Sequence, residues 1–179
     1  MHRCRRQCYG WHRSNTIGST PQNNTLTGDW IDFLRNHRIG YQLDLAFRNG
    51  HRTRLEARGN ALLENLAHFF AGYYPHASLL HGDLWAGNVG FAADGAPVVF
   101  DPAVYYGDRE TDIAMTELFG GFAKEFYRGY ETIWPLESGF RVRKHLYQLY
   151  HLLNHLNLFG EGYLSQCESI MDGLLAQVH

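Results

Sequence analysis

Apolar residues recur at helical spacing in the first half of the chain, after an irregular start. The first helix is predicted to begin at Thr27, as its N-cap, and to run through "DWIDFLRNHRIGYQLDLAF" to a terminator at Gly50. A second helix follows and ends by Pro75, because proline cannot continue a helix. Its apolar residues keep a period close to the helical one: Leu55, Leu62, Leu66, Phe69, Phe70 and Tyr73.

The helical period returns from Glu110 to the C-terminus. One apolar stripe is formed by Leu146, Leu149, Leu153 and Leu156, and a last helix is predicted over residues 164–177. Stripes of this kind indicate packing in a core rather than a cofactor site.

The stretch between these regions has a β texture. "SLLHG", "NVGFA" and "PVVFD" are short runs broken by Gly, Asp and Pro, with "ADGA" as a turn between the last two. The predicted fold class is therefore α+β, mostly helical, around a small β-hairpin. Residues 1–27 are rich in Asn, Thr, Gly, Ser and Gln and are predicted to form an irregular segment before the domain of residues 28–179.

Composition excludes several classes of protein. The 179 residues include 16 Lys and Arg against 18 Asp and Glu, so the chain lacks the basic character of a nucleic-acid-binding domain. The basic start "MHRCRRQC" is not followed by the apolar core of a secretory signal. No run of about 20 apolar residues predicts a membrane span. We therefore expect a cytoplasmic protein that binds neither nucleic acid nor membranes.

The cysteines and histidines do not form a recognisable metal-binding pattern. Cys4, Cys8 and Cys167 are odd in number and lack the spacing of a zinc site, which favours free thiols over a redox or metal role. His151 and His155 stand one helical turn apart and could bind a metal in principle. Because no HExxH carboxylate accompanies them, surface or hydrogen-bonded helix histidines are favoured.

The strongest chemical signal is "HGDLWAGN", followed thirteen residues after Asn88 by "FDPA". Kinase catalytic loops have the form H-x-D-x-x-x-x-N, then a hairpin, then an Asp that holds magnesium. In this interpretation Asp83 is the catalytic base that takes the proton of the acceptor hydroxyl. Asn88 and Asp101 supply the hard oxygen ligands that Mg²⁺ prefers, and His81 supports the loop. Residues 81–88 are called the catalytic loop below, and residues 98–103 the metal-binding segment.

A plainer interpretation is that "HGD" is a turn in which Asp83 caps a backbone N–H group. Either half of the signal would be weak alone, because such turns are common. Three matching positions on a strand–loop–hairpin–loop background favour the kinase-type site.

Four stretches resemble the fructosamine kinase (ketosamine-3-kinase) family: "LLHGDLWAGN", "DPAVYYGDRETDIAMTELFGGF", "YQLYHLLNHLNLFG" and "NTIGSTPQ". The similarity runs from about Tyr9 to near the C-terminus. The Trp of "HGDLW" and the "AMTELFGGF" run distinguish it from the wider aminoglycoside-phosphotransferase and choline-kinase group, which has a protein-kinase-like fold. The resemblance implies ATP-dependent phosphorylation of the sugar 3-hydroxyl of ketosamines, which leads to protein deglycation.

The resemblance also implies roles for particular residues. Asp83 is the implied catalytic base, with Asn88 and Asp101 as magnesium ligands. Trp85 either covers the ketosamine or packs under the loop. Asp112 is implied to support the catalytic loop from the following helix.

Other positions near the implied site have less definite roles. Tyr105 and Tyr106 form either the wall of the substrate pocket or part of the core. Residues 15–22 are expected near the cleft. Asp108 stands where His is more usual in the family, and is expected to add negative charge on the acceptor side.

A kinase of this fold also uses an N-terminal lobe, which presents the phosphates with a glycine-rich loop and a lysine. Lys124 and Lys144 are the two lysines of the sequence and both follow the catalytic loop, and no G-x-G-x-x-G precedes it. We therefore expect a C-terminal lobe with the N-terminal lobe absent, and the sequence leaves open whether it is active alone. Self-association, or a partner, is expected at the face that such a lobe would cover.

Two other functions remain open from the sequence. One is phosphorylation of another small substrate, of the aminoglycoside or choline type. The other is a non-catalytic role, either as a truncated kinase fragment or as a module that binds sugar adducts. The preferred ketosamine and the oligomeric state cannot be read from the sequence.

Overall fold

The computed structural model describes residues 1–178, and α-helices make up most of its regular structure. The α-helices are α1 (Trp30–Leu34), α2 (Gly40–Ala46), α3 (Arg52–Glu64), α4 (Glu110–Thr116), α5 (Lys124–Ile133), α6 (Phe140–Phe159) and α7 (Leu164–Leu175). Two π-helical turns, Arg35–Ile39 and Phe47–His51, connect α1 to α2 and α2 to α3. Short 3₁₀ turns lie at Leu66–Phe70, Ala86–Asn88 and Glu161–Tyr163.

Within residues 1–178, seven short strands form three antiparallel sheets. The strands are β1 (Arg5–Arg6), β2 (Asn15–Ile17), β3 (Thr20–Gln22), β4 (Ala77–Leu80), β5 (Val89–Phe91), β6 (Pro97–Val99) and β7 (Tyr105–Gly107). One sheet has the order β1-β4-β7, while β2-β3 and β5-β6 are separate hairpins. The predicted α+β class is confirmed, and so is the hairpin around "ADGA", where Val89 pairs with Val99. The sequence analysis missed the three-stranded sheet and the β2-β3 hairpin, which lies in the segment predicted to be irregular.

The first helix begins later than predicted. Its N-cap is Asp29, whose carboxylate accepts a hydrogen bond from the backbone N–H of Asp32 at 2.9 Å. The predicted cap, Thr27, instead pairs through its backbone with Tyr9. Asp and Thr are both good caps, and the long-range pairing with Tyr9 holds Thr27 outside the helix.

The second predicted helix also differs at its end. The break at Gly50 is confirmed, since its φ of 98° is left-handed and suits glycine. However, α3 ends at Glu64, well before Pro75. Asn65 leaves the helical conformation, and its side-chain amide donates to the carbonyl of Ala61 at 2.9 Å. The chain then tightens into the 3₁₀ turn before β4.

Helix α6 is the central element of the core. The predicted stripe is confirmed, because Leu146, Leu149, Leu153 and Leu156 are at most 1% exposed. Helices α4, α7 and α2 pack around it. The predicted last helix is confirmed as α7, which ends two residues before the predicted limit.

The histidines and cysteines behave as side chains of an ordinary domain. The ring Nδ1 of His155 donates to the carbonyl of His151 at 2.8 Å, as expected for a hydrogen-bonded helix histidine. The same expectation is wrong for His151, whose ring is buried and makes no hydrogen bond with the described residues. Cys4, Cys8 and Cys167 are free. Within residues 1–178, no three His, Cys, Asp or Glu side chains are grouped so that they could hold a metal ion. No helix in that range combines the length and apolarity needed to cross a membrane.

A buried ion pair joins α4 to α6. The guanidinium of Arg143 donates to both carboxylate oxygens of Glu110, at 2.7 and 3.0 Å, and both side chains are at most 3% exposed. The guanidinium also lies 3.7 Å from the ring centre of Tyr73. One residue further along α6, Lys144 pairs with Glu117 at 2.8 Å in a partly exposed position.

We predict that Arg143→Met lowers the free energy of unfolding by about 3–5 kcal/mol, because it leaves the Glu110 carboxylate buried without a partner. Lys144→Met, the matched control, removes a solvent-screened pair and costs at most about 1 kcal/mol. Urea unfolding of both variants measures the difference. Equal losses in the two variants would contradict the prediction.

Candidate active site

The catalytic loop begins where β4 ends, at the buried Leu80. Gly82 turns the chain with a φ of 84°, a conformation that side chains rarely adopt. A Cβ atom added at Gly82 would also overlap the carbonyl oxygen of Ala103. The close approach of the two segments therefore requires glycine in the HGD sequence, independently of any chemistry.

Asp112, in the first turn of α4, binds the backbone of this turn. One carboxylate oxygen accepts the N–H of His81 at 2.8 Å, and the other accepts the N–H of Gly82 at 2.9 Å. The side chain is 1% exposed. Burial raises the pKa of Asp112, but the contact with His2 and the two backbone donors outweigh burial and lower it below its ordinary value. The structure thus places Asp112 where a support of the loop would have to lie.

His81 connects the loop to the end of the β5-β6 hairpin. Its Nδ1 accepts the backbone N–H of Asp83 at 3.3 Å, so the proton of the neutral ring lies on Nε2. Nε2 donates to the carbonyl of Phe100 at 3.0 Å. Because Phe100 directly precedes Asp101, His81 fixes the position of Asp83 relative to the predicted metal-binding segment.

Asn88 closes the loop onto Asp83. Its side-chain amide donates to the backbone carbonyl of Asp83 at 2.9 Å and to the carboxylate Oδ2 at 3.1 Å. Its backbone carbonyl accepts the N–H of Phe100 at 3.1 Å. The structure therefore brings together Asp83, Asn88 and the residue before Asp101.

The carboxyl group of Asp83 has a raised pKa. Burial is the largest cause, while His81, the amide of Asn88 and His155 act in the opposite direction. A nearby negative charge, that of Asp101, raises it further. A carboxylate held in this way accepts a proton more readily than an exposed aspartate does.

Asp101 is exposed and adopts a left-handed backbone, with a φ of 55°. Among residues 1–178 it is the one non-glycine residue with a positive φ. Asp tolerates this region better than most residues, and such conformations concentrate at functional sites. The turn directs the chain from β6 to the buried Ala103 while Asp101 faces solvent.

Trp85 lies over its own loop and is 37% exposed. A Cβ atom at Gly87 would overlap its indole ring, so glycine is needed there for the ring to lie flat. The indole meets the Phe119 ring edge-on, with ring centres 6.2 Å apart. The ring centres of Phe119 and His155 are 4.7 Å apart. Trp85 thus both packs against the loop and keeps a solvent-accessible surface.

The two tyrosines of β7 differ in position. Tyr105 is 1% exposed, stacks on Phe33 and has the guanidinium of Arg38 4.0 Å from its ring centre. The prediction of Tyr105 as a wall of the substrate pocket is therefore wrong, and its alternative as a core residue is correct.

Tyr106 points to the opposite face of the sheet, because side chains alternate along a strand. There it stacks on Trp11, with ring centres 5.3 Å apart, and lines a cleft of about 690 Å³ with Arg5 and Arg6. Neither Asp83 nor Trp85 lines this cleft. The structure does not bring Tyr106 to the catalytic loop.

Asp108 does not add charge on the acceptor side, contrary to the prediction. It is 1% exposed and accepts the hydroxyl protons of Tyr73 and Tyr147. Asp108 follows Gly107, the last residue of β7, which pairs with Ser78 near the start of β4. The catalytic loop follows the other end of β4, so Asp108 and the loop lie at opposite ends of this strand pair. Asp108 anchors the hydroxyl groups of the buried Tyr147 and the partly buried Tyr73.

The β2-β3 hairpin lies beside the metal-binding segment, as expected for residues 15–22. The side-chain amide of Asn15 donates to the carbonyl of Val104 at 2.9 Å, and that of Gln22 donates to the carbonyl of Ala103 at 3.0 Å. Tyr150 of α6 in turn donates to Gln22 at 2.8 Å. These contacts support the segment that follows Asp101 and Pro102.

Sequence reasoning missed some residues around the loop. His155 and Phe119 extend the aromatic surface that Trp85 begins. The position of His155, four residues after His151 on the same helix, suggested a surface or hydrogen-bonded histidine or, less favoured, half of a metal pair, and gave no link to Trp85. His2 was treated as part of a basic start, and nothing in a single sequence relates it to Asp112, 110 positions away.

The β5-β6 hairpin exposes large apolar side chains. Phe91 is 76% exposed, and Val98, Val99 and Phe100 are 41–54% exposed. An apolar surface of this kind suits the self-association or partner binding expected from the sequence. That expectation stays a prediction.

The family model described as "Fructosamine kinase" matches residues 1–177. A probable ketoamine kinase from Synechocystis is 48% identical over 163 residues, which cover 91% of this chain and 54% of that protein. The chloroplastic protein-ribulosamine 3-kinase of Oryza sativa subsp. indica is 47% identical over 167 residues, which cover 93% of this chain and 48% of that protein.

Solved structures agree with the sequence matches. A protein from Thermobifida fusca assigned as a fructosamine-3-kinase has a TM-score of 0.87 and 34% identity, covering 98% of this chain and 61% of that one. A protein from Haemophilus somnus, assigned in the same way, has a TM-score of 0.86 and 32% identity. The match covers 97% of this chain and 59% of that one.

The chain spans about half the length of the curated relatives it matches. Over that span the match is nearly continuous, and it includes the loop in which Asp83 and Asn88 meet. The resemblance seen in the sequence is confirmed, and the chain belongs to the fructosamine kinase family.

Proposed function

We propose that this protein transfers the γ-phosphoryl group of ATP to the sugar 3-hydroxyl of ketosamines, including adducts on protein lysines. The observation that carries the proposal is the hydrogen bond from Asn88 to the carboxylate of Asp83, within a loop whose two ends are fixed by Asp112 and Phe100. Kinase family membership supports ATP as the phosphate donor. The names of the relatives support a ketoamine or ribulosamine acceptor.

Asp83 is the proposed catalytic base. Its carboxylate orients the acceptor hydroxyl and takes its proton as the oxygen attacks the γ-phosphorus and ADP leaves. Asn88 holds one carboxylate oxygen at 3.1 Å, which leaves the other oxygen available to the hydroxyl. The raised pKa of Asp83 makes the proton transfer more favourable than it would be for an exposed aspartate.

Mg²⁺ fits the residues present at the other end of the loop. The side-chain nitrogen of Asn88 donates to Asp83, so the Oδ1 oxygen of Asn88 is left for a hard cation. The exposed carboxylate of Asp101 directly follows Phe100, whose backbone N–H binds the carbonyl of Asn88. Magnesium commonly takes one or two protein oxygens and completes its shell with water and phosphate oxygens. When bound, the ion neutralises charge on the nucleotide phosphates.

The described residues correspond, in this proposal, to the catalytic lobe of a kinase-like fold. The phosphates of ATP would need a further set of cationic or backbone donors, which kinases place in an N-terminal lobe. The exposed apolar surface of the β5-β6 hairpin lies next to Asp101 and is a suitable seat for such a lobe or a partner.

We predict that Asp83→Asn lowers kcat for phosphate transfer from ATP to fructosyl-lysine by about 10²–10⁴-fold, because the proton of the hydroxyl loses its acceptor. Asp94→Asn, an exposed carboxylate at the hairpin turn, is the matched control and leaves kcat unchanged. Transfer of radiolabelled phosphate to the sugar, with thermal unfolding measured in parallel, tests this. Undiminished transfer by a folded Asp83→Asn protein would refute the assignment of the base.

We predict that Asp101→Asn raises the magnesium concentration needed for half-maximal transfer by about tenfold or more, the cost of removing one charged ligand. Asn also tolerates the left-handed backbone, so the unfolding free energy should stay the same. A magnesium titration of the same assay measures the effect. An unchanged magnesium requirement would exclude Asp101 as a ligand.

Trp85 is the proposed platform for the ketosamine. We predict that Trp85→Leu raises KM for fructosyl-lysine by about two- to tenfold, as expected for the loss of an aromatic contact, with no change in KM for ATP. Trp85→Phe keeps a flat ring and retains most of the affinity. If Trp85→Leu lowers only the unfolding free energy and both KM values stay constant, the indole is a packing residue.

A further inference from the structure

His2 lies between two distant parts of the chain and is 9% exposed. Its Nε2 is 3.0 Å from Oδ2 of Asp112, the carboxylate that binds the backbone of the catalytic loop. Its Nδ1 is 2.7 Å from the hydroxyl of Tyr130 in α5. Both ring nitrogens are therefore engaged by buried or half-buried partners.

The donors and acceptors in this arrangement are self-consistent. A carboxylate can only accept, so Nε2 of His2 donates to Asp112, and Nδ1 of the neutral ring accepts the hydroxyl proton of Tyr130. Burial raises the pKa of Tyr130, which keeps that proton in place. The Tyr130 oxygen in turn accepts Nη1 of Arg109 at 3.1 Å.

Arg109 fixes the far end of this chain of hydrogen bonds. Nη1 also donates to the carbonyl of Trp134 at 2.9 Å, and Nη2 donates to the carbonyl of Pro135. The guanidinium lies 4.1 Å from the ring centre of Trp134. A continuous series of hydrogen bonds therefore runs from the end of α5 through Tyr130 and His2 to Asp112.

We propose that His2 is a positioning residue that acts through Asp112 on the backbone of the catalytic loop. Oδ2 of Asp112 has two contacts, the N–H of His81 and the ring of His2, while Oδ1 accepts the N–H of Gly82. Without His2 the buried oxygen keeps one donor, and the carboxylate is free to rotate away from the loop. The position of Asp83, the next residue, then becomes less defined. The part of this inference that concerns phosphate transfer rests on the proposed function.

A purely structural role for His2 would affect stability but not the hydrogen bonds of the catalytic loop. The imidazole also meets the Tyr130 ring edge-on, with centres 5.7 Å apart. If this packing were its whole contribution, losing the ring would lower stability without changing the hydrogen bonds of His81 and Gly82. The backbone amides of the loop therefore distinguish the two roles.

The test is amide NMR of the ¹⁵N-labelled chain, which requires no enzymatic activity. In His2→Ala we expect the amide proton of Gly82 to move to lower frequency, as its hydrogen bond weakens, and its exchange with solvent to accelerate by about tenfold. His2→Gln, whose side chain can still donate to Asp112, should restore most of both signals. His12→Ala, at an exposed histidine, is the control and leaves Gly82 unchanged.

Tyr130→Phe provides a second, milder variant. It keeps the ring but removes the proton donor to Nδ1, so we expect an intermediate shift of the Gly82 amide. Tyr74→Phe, at a tyrosine that is 88% exposed, is its control. An unchanged Gly82 amide in folded His2→Ala overturns the proposal. If His2→Ala does not fold, an unchanged amide in Tyr130→Phe overturns it.

Kinetics then separate this inference from the proposed function. In an active protein, His2→Ala should lower kcat about tenfold with little change in KM for the ketosamine, and His2→Gln should recover most of kcat. A wild-type chain that transfers no phosphate under these conditions would count against the proposed function, while the Gly82 amide would still decide the role of His2.

Discussion

The catalytic loop depends on one buried anion. The carboxylate of Asp112 is almost fully withdrawn from water, and an isolated charge there would be strongly unfavourable. Two backbone N–H groups of the loop and the ring of His2 satisfy it, and hydrogen bonds to a charged group are worth about 1.5–3 kcal/mol each. Because Asp112 belongs to α4 and the loop continues β4, the same contacts fasten the sheet to the helices. A conformation of the loop that abandoned Asp112 would leave that charge unsolvated, which disfavours such conformations.

Beyond Asp112, some groups of the site are fixed by hydrogen bonds, and others remain exposed to solvent. His81 and Asn88 both bind Phe100, so hydrogen bonds join the loop to the end of the hairpin. The Asp101 carboxylate and one face of Trp85 are left in contact with solvent. The hydrogen bonds of His81 and Asn88 fix the backbone of the loop, whereas the Asp101 carboxylate and the exposed face of Trp85 are the groups that a cation or a substrate would meet. The distribution suits a reaction in which positioning and charge neutralisation do most of the catalysis.

Much of the fold and the chemistry could be predicted from the sequence, and the failures have physical causes. The Leu146 stripe on α6 and the hairpin around "ADGA" were predicted correctly because a periodic pattern or a turn dipeptide is local information. Asp83, Asn88 and Asp101 were singled out because phosphate transfer calls for those groups at that spacing. Strands of two or three residues, such as β1 and β2, are too short to show alternation, so the three-stranded sheet was missed. Tyr105 was misplaced because a sequence does not say which face of a strand is covered, and Asp108 because its tyrosine partners, Tyr73 and Tyr147, are distant in sequence. His2 could not be related to Asp112 at all, since their contact is set entirely by tertiary packing.

The way in which the loop is held has a consequence for how this family can diversify. Asp112 binds main-chain N–H groups, and Asn88 binds a main-chain carbonyl as well as the carboxylate of Asp83. Main-chain groups are the same whichever side chain is attached. Apart from Gly82, which the close approach of Ala103 requires, and the buried Leu84, the exposed positions 85 and 86 can therefore change without breaking the main-chain contacts that hold Asp83. In the proposed function, such substitutions would alter what the loop presents to an acceptor while the contacts around Asp83 are kept. Acceptor preference could then change between sugars without a change in the main-chain frame of the loop.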